Sequence, residues 1–539
     1  MPATPSSRWP VTATSTRSCR IESRRALACP AGSDARDPTP STGTRRCMNA
    51  RMADSSSPRR SLRAQEVPRW DLEHDVVIVG HGVAGAAAAI EAARAGADTA
   101  VLERAMVGGG TTALSTGLTY FGGGTAIQNS CGFEDSVADM KAYVELAAGA
   151  GADPQRVRLY CENSVEHFEW FRALGVEFNE TYLDDKVTPP LTTDCLMFSG
   201  NEDAYPFNEK ARPVPRGHKP AREGEAGAYL MEVLVAATEA AGVHIVNECR
   251  ADTLVVDAAG RVVGLGARRD LERAYVKARR GVVLTTGGFI MNREMVERYA
   301  PDLLQCNYPL GTPGDDGSGI LMGMDAGAEA TNMGEGLVLN AYYPPSSHLK
   351  GVLVDAAGRR FINEDSYIGR TSDAIIAHAG GRAFLIVDNA IYGRTQAAHK
   401  LAAVEETFAD LEKALEMPAG ALVETLETYN QDATRGEDPA FHKAPKYLRP
   451  LSALPFAALD CSTNNSIFGA LTLGGLAVKA TGEVLTGAGS MVPGLYAAGR
   501  CTAGLCREGR TYASGLSIGE GSYFGRLAGR QAAAAAPSC

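Results

Sequence analysis

Three glycines set the first chemistry in this 539-residue chain: Gly80, Gly82 and Gly85, in the pattern Gly-x-Gly-x-x-Gly. The run Val76-Val77-Ile78-Val79 leads into them and reads as a buried parallel-type strand. An alanine-rich stretch follows to about Ala95 and reads as a helix that Gly96 ends. Gly80 permits a tight turn, Gly82 lets the backbone approach a pyrophosphate, and Gly85 lets helix and strand pack closely. Val83 and Ala84 then open the helix, whose free N–H groups and positive dipole end suit phosphate oxygens. A second strand, Thr99-Ala100-Val101-Leu102, ends at Glu103, where a carboxylate can accept the hydroxyls of a ribose. Strand, glycine turn, helix, strand and acid together predict a dinucleotide site.

Further elements must position that site. Glycine-rich stretches recur at 108–117, 285–288 and 494–499, and three such distant segments converge only on something large. Helical segments are expected at about 134–175 and 224–241, a β-rich stretch at 244–268, and a strand over 281–284 that ends on glycines. The character changes from about 335 to 490, where short strands, a helical run and proline-rich links suggest an inserted domain. The expected organisation is a disordered or non-native extension (1–70), a first dinucleotide-binding part (71–334), an inserted α+β substrate domain (335–490), and a return to the first domain (491–539). The expected fold class is α/β, a Rossmann-like domain interrupted by a capping or catalytic domain.

Composition narrows the function. Residues 1–70 hold 13 Arg, no Lys and five acidic residues, while the whole chain carries a net charge of −10. The remainder is therefore strongly acidic and repels phosphate backbones, which argues against a nucleic-acid partner. The arginine-rich start fits an over-extended reading frame beginning in truth at Met48 or Met52, or a transit peptide. No apolar run of 18 residues occurs, so no membrane span is expected. The 12 cysteines form no Cys-x-x-Cys, and Cys501 and Cys506 are the closest pair. That pattern offers neither an iron–sulfur nor a zinc site, no metal is expected, and a reducing, cytoplasmic setting suits it.

The motifs resemble those of the flavoprotein subunit of fumarate reductase and succinate dehydrogenase and of the related FAD-dependent 3-oxosteroid dehydrogenases. The resemblance covers about 72–530. It rests on the glycine pattern with Glu103-Arg104, the loop Gly109-Gly110-Thr111-Thr112-Ala113-Leu114-Ser115, and Thr285-Thr286-Gly287-Gly288-Phe289. Thr312-x-Gly314-Asp315-Asp316-Gly317 and Gly494-Leu495-Tyr496-Ala497-Ala498-Gly499 complete it. It implies FAD, with Ala251 bordering adenine, and Thr111, Thr112 and Ser115 beside pyrophosphate and flavin. Gly110, Gly117, Thr286, Gly287, Asp315 and Gly499 belong to the same cradle. Gly515, Leu516 and Ser517 would start a helix aimed at the N1–O2 edge of the flavin, where negative charge collects on reduction. Many relatives carry an acid after Ala-Ala-Gly; here Arg500 stands there. No His occupies 108–117, so non-covalent FAD is expected.

The resemblance also sets the substrate. Where a fumarate reductase has His before its Thr-Met-Gly-Gly stretch, this chain has Leu471. Where that family has an Arg before the last flavin helix, it has Tyr512. A dicarboxylate loses charge pairing there, with Arg370 and Arg510 as the remaining candidates. Neutral donors suit a ketone instead, whose oxygen must be polarised as enolate character develops. Arg360-Phe361-Ile362-Asn363-Glu364-Asp365-Ser366-Tyr367 and Tyr512-Ala513-Ser514-Gly515-Leu516-Ser517 resemble the 3-oxosteroid enzymes acting at the 4,5 bond (5α series). By that resemblance Tyr512 is the carbonyl donor, Ser514 the proton-transfer residue, and Tyr367 a second donor or relay. The loops Phe198–Glu202 and Pro215–His218 resemble the same subgroup. The expected substrate is a small-molecule ketone, a steroid above all, and the electron partner a quinone or separate carrier. The alternatives are 3-oxosteroid 1-dehydrogenation, a fumarate- or urocanate-type reductase, and a flavin-binding protein without chemistry. Plain packing for the tyrosines and a helix N-cap for Ser514 are the bland readings.

Overall fold

The computed structural model describes residues 61–270 and 272–538. The expectation for residues 1–60 lies outside them. From residue 61 the expected disorder is corrected: Leu62–Arg63 pairs in parallel with Val255 and Val256, and Ala64–Glu66 forms a tight turn. Backbone pairing orders this segment although its side chains show no hydrophobic period.

A nine-stranded sheet organises the chain. Its parallel core runs His244–Val246, Thr99–Leu102, Leu72–Val79, Glu272–Leu284, Met491–Ala497 across the sheet. Val76, Val77 and Ile78 are fully buried, as a strand covered on both faces must be. The 13-residue strand Glu272–Leu284 changes partners along its length within this sheet. Its first half pairs antiparallel with Val262–Arg269, and its second half is parallel to the C-terminal strand Met491–Ala497. The sequence expectation of a strand at 281–284 thus caught only its end.

Two helices cover the core against each other, the glycine-loop helix Val83–Arg94 and the C-terminal helix Leu516–Ala534. Their contact is backbone-close. A Cβ on Gly525 would meet the carbonyl oxygen of Ala84 at 2.5 Å, and one on Gly529 would strike that of Ala88. The alanines and glycines of both sequences are the condition for this approach, not merely helix formers.

The expected helical stretch at 134–175 is three helices, Val137–Ala148, Pro154–Glu162 and Ser164–Ala173. The segment 335–490 contains an antiparallel sheet of Val352–Asp355, Ala383–Asp388, Phe456–Asp460 and Leu401–Glu405. Its helix Ile368–Ala377 starts directly after Tyr367. Toward its end the segment 335–490 rejoins the large sheet, because Glu483–Leu485 pairs antiparallel with Met491–Ala497. Among the described residues no helix is long and apolar enough to cross a membrane.

Candidate active site

The glycine turn has the conformation its spacing demands. Gly80 adopts φ +97°, and a Cβ on Gly85 would fall on the Gly80 carbonyl oxygen. Gly82 caps the helix without a side-chain hydrogen bond, and a Cβ there would meet nothing nearer than 3.8 Å. Open backbone before uncapped N–H groups is what a phosphate requires. Thr112 Oγ1 lies 3.4 Å from the N of Val83, so the second glycine-rich loop closes onto the first. Glu103 sits at the strand end and accepts from the N–H groups of His81 and Ala105, both at 2.8 Å. These bonds fix its carboxylate beside the turn.

The other expected cradle residues gather around the same place. Gly110 begins the short helix Gly110–Ala113. Ser115 Oγ donates to the Thr112 carbonyl and accepts from the Gly117 N–H, which locks that loop. Ala251 is buried in the strand Cys249–Val256. Arg104 and Arg250 both bond Asp316, at 2.8 and 3.1 Å. Thr286 donates to Cys501 Sγ at 3.4 Å, and Gly287 has φ +80°. A Cβ on Gly499 would sit 2.9 Å from that of Ala84, so this turn lies on the start of the glycine-loop helix. Asp315 ties the loops together. Its Oδ1 accepts from the Gly288 N–H and from Arg500, and its Oδ2 from Thr111 Oγ1 and the Thr312 N–H. With four donors on two oxygens, the carboxylate positions the cradle.

The second cluster is made of hydroxyls. Tyr367 OH and Ser514 Oγ are 2.7 Å apart. Tyr512 OH donates to Ser517 Oγ at 2.9 Å and accepts from the Ser517 N–H at 3.2 Å. Both phenols are buried, whereas Ser514 and Ser517 are only half-buried, so each pair has one accessible end. Burial pushes the Tyr367 phenol well above its ordinary value, its bond to Ser514 acting the other way. Burial likewise raises that of Tyr512, against the two contacts from Ser517. Both are therefore neutral donors across the physiological range. Ser514 is not a helix cap: the C-terminal helix is capped by Gly515 at φ +99°. Leu516 is fully buried at the start of that helix.

Two supports were not assigned from sequence. Ser199 Oγ donates to the Ser514 carbonyl, and the Ser514 N–H donates to that of Ser199, at 2.9 and 2.8 Å. Asn201 Oδ1 accepts the Tyr367 N–H at 2.9 Å. One polar loop thus holds both Tyr367 and Ser514; its burial despite Ser, Asn and Glu was the missing signal. Glu202 in the same loop accepts from Tyr120 OH and the Gly200 N–H. Behind Tyr367, Arg360 bonds Glu364 and Asp438 through both arms, and Lys443 adds a 3.0 Å pair to Glu364. Burial would raise the Glu364 carboxyl, but Arg360 and Lys443 outweigh it and hold it at about 2.

The side chains of the remaining candidates bond elsewhere than to the hydroxyls of Tyr367 and Ser514. Tyr342 OH donates to the Glu364 carbonyl. His218 is fully buried between Thr125 Oγ1 and the Arg216 carbonyl, and burial lowers it to about 4, so it packs as a neutral ring. Arg510 is exposed and bonds Glu508 at 2.7 Å. Arg370 bonds Tyr205, Asn363 and Ser366 through one nitrogen.

A dinucleotide cradle joined to a hydroxyl pocket defines a flavoprotein. The chain belongs to the FAD binding domain family, whose model matches residues 75–512. It is an FAD-dependent oxidoreductase of the fumarate reductase and 3-oxosteroid dehydrogenase group. It is 30% identical over 509 residues to a 3-oxo-5-alpha-steroid 4-dehydrogenase of Comamonas testosteroni, an alignment covering 81% of this chain and 94% of that one. It is 29% identical over 477 residues to a probable fumarate reductase of Shewanella frigidimarina, covering 85% of this chain and 74% of that one. Among solved structures, the 3-ketosteroid-Δ4-(5α)-dehydrogenase of Rhodococcus jostii RHA1, in complex with 4-androstene-3,17-dione, superposes with a TM-score of 0.84 and 43% identity. That match covers 88% of this chain and 99% of that one.

Proposed function

We propose that the protein moves hydride between non-covalently held FAD and a carbon near the carbonyl of a 3-oxosteroid, at the 4,5 bond. Bound FAD supplies the hydride acceptor or donor at N5. The protein supplies the rest. Tyr512 is a neutral phenol whose oxygen is polarised by the N–H of Ser517 at the start of a helix. Its proton turns from Ser517 toward a ketone oxygen and stabilises developing enolate charge. Ser514 Oγ takes the proton from the neighbouring carbon as it hands its own across the 2.7 Å bond to the Tyr367 oxygen, and Tyr367 in the same relay releases its phenolic proton to water.

One observation carries this reading: the reacting cluster is built of paired neutral hydroxyls. A dicarboxylate needs cations at that spot, and Arg510 is committed to Glu508 in solvent. The similarity to a steroid 4-dehydrogenase over nearly its whole length supports the same reading. We read 335–490 as the substrate-covering segment, the protein as cytoplasmic, and the electron partner as a quinone or a separate carrier.

The test is anaerobic absorbance of the yellow protein mixed in parallel with a 5α-3-oxosteroid, a 4-ene-3-oxosteroid and succinate. Bleaching by the saturated ketone is the expected result. Bleaching by the 4-ene would move the chemistry to the 1,2 bond. Bleaching by succinate alone, or reoxidation of dithionite-reduced protein by fumarate alone, would overturn the steroid assignment.

A further inference from the structure

Arg500 Nη1 is one of the buried nitrogens that have no hydrogen-bond partner among the described residues, and it lies in the cradle. Arg500 stands in the turn Gly499–Cys501 with its side chain only 12% exposed. Its Nη2 donates to Asp315 Oδ1 at 2.8 Å. Its Nη1 is buried and has no hydrogen-bond partner among the described residues. Asp315 has no capacity left for it, since each of its oxygens already accepts two bonds. A buried charged donor without an acceptor is costly enough that native proteins rarely keep one for packing alone.

Its position says what the acceptor is. A Cβ on Gly288 would lie 3.4 Å from Nη1, so the free nitrogen sits against the Thr286–Gly288 loop. The partner Asp315 is itself bonded to Thr111 in the opposite loop. The same turn rests on the N-terminal end of the glycine-loop helix through Gly499 and Ala84. Nη1 therefore lies against the Thr286–Gly288 loop near Thr472, on a side chain whose turn touches the glycine-loop helix and whose partner Asp315 holds Thr111.

We propose that Arg500 Nη1 is a direct FAD ligand, donating to an oxygen of the ribityl–pyrophosphate linker. This reverses the bond an acid at the same position would make: the cofactor oxygen accepts and the protein donates. Asp315 is then a positioning residue that aims the guanidinium. The inference rests on FAD binding alone and is independent of the steroid assignment.

The decisive variant is Arg500→Lys. A lysine ammonium keeps a cation for Asp315 but loses the planar second arm. Apoprotein prepared by flavin removal is titrated with FAD and with riboflavin, following the quenching of flavin fluorescence, and its melting is recorded without cofactor. The expected result is a rise of about tenfold or more in the FAD Kd, the loss of one charge-assisted hydrogen bond, with unchanged apoprotein melting. A rise for FAD only assigns the acceptor to the pyrophosphate; a rise for riboflavin as well assigns it to a ribityl hydroxyl. An unchanged FAD Kd would overturn the proposal and leave Arg500 as an ion pair with Asp315. Arg500→Met serves as the second variant: an FAD Kd equal to that of the wild type would overturn it equally, whatever the melting temperature. Wild-type apoprotein that does not take up FAD would instead sink the flavoprotein assignment itself.

Discussion

The two halves of the site are made of different material. The cradle is backbone: its turns depend on Gly80, Gly287 and Gly515 at φ +97°, +80° and +99°, and its contacts on N–H groups and helix ends. The hydroxyl cluster proposed to react is side chain: Tyr367 and Ser514 are 147 positions apart, and their hydroxyls meet through packing of residues 335–490 onto the C-terminal segment. A backbone site tolerates little change in residue size but is indifferent to most side-chain chemistry. A hydroxyl site is the reverse. The two should therefore fail in different ways when altered.

The largest effect is expected at Gly85. A Cβ there would land on the Gly80 carbonyl oxygen and lie 2.8 Å from Thr285 Oγ1, and neither neighbour is the free end of a flexible chain. Gly85→Ala should destabilise the protein by more than about 4 kcal/mol, in the range reserved for severe backbone or core conflicts. The preparation should be insoluble or colourless, read from flavin absorbance per protein and from melting. A yellow, normally melting Gly85→Ala protein would remove the argument for backbone closeness.

The hydroxyl cluster should behave in the opposite manner. Tyr367→Phe and Ser514→Ala each delete one oxygen of the proposed proton path and should lower turnover by about 10²–10⁴-fold, with the flavin retained. The double variant should be little worse than either single one, because the two hydroxyls act as one unit. Tyr512→Phe removes the proposed carbonyl donor and should cost about 10²–10³-fold. Single-turnover flavin reduction against flavin content separates the two halves. Loss of FAD in the Tyr367 or Ser514 variants would mean the cluster shapes the cradle after all.

This division explains what could be read from the chain before its structure. The glycine spacing, the following helix and Glu103 are neighbours in sequence, so local reading places them as the fold does. The roles proposed for Tyr367, Tyr512 and Ser514 rest on family resemblance, because no spacing rule links residues so far apart. The supports Ser199 and Asn201 were missed as supports: their bonds run to backbone groups of distant residues, which leaves no pattern. Asp315 was named as a cofactor residue, and only its four protein donors reveal the part it plays in joining the loops. The order at Leu62–Arg63 was missed because strand addition at a sheet edge is a backbone event that composition hides.

The smallest expected effect sharpens the substrate side. Arg510 is one of the two cations, with Arg370, that a dicarboxylate reading would recruit, yet its side chain is 64% exposed and its Nε is bonded to Glu508. An exposed pair of this kind is worth roughly 0.2–1 kcal/mol, and its loss is softened further by solvent screening. Arg510→Gln should therefore change the kcat and KM for a 3-oxosteroid by less than about twofold, the scale of that energy. If Arg510 bound a substrate carboxylate, the same change would raise KM by an order of magnitude or more, since a charge-assisted contact would be lost. Steady-state kinetics of this one variant, run with both a steroid ketone and fumarate, thus asks whether the pocket recognises its substrate through neutral hydroxyls or through charge. A selective rise in the KM for fumarate, with efficient turnover of fumarate by the unaltered protein, would move the chain to the charged-substrate side of its family.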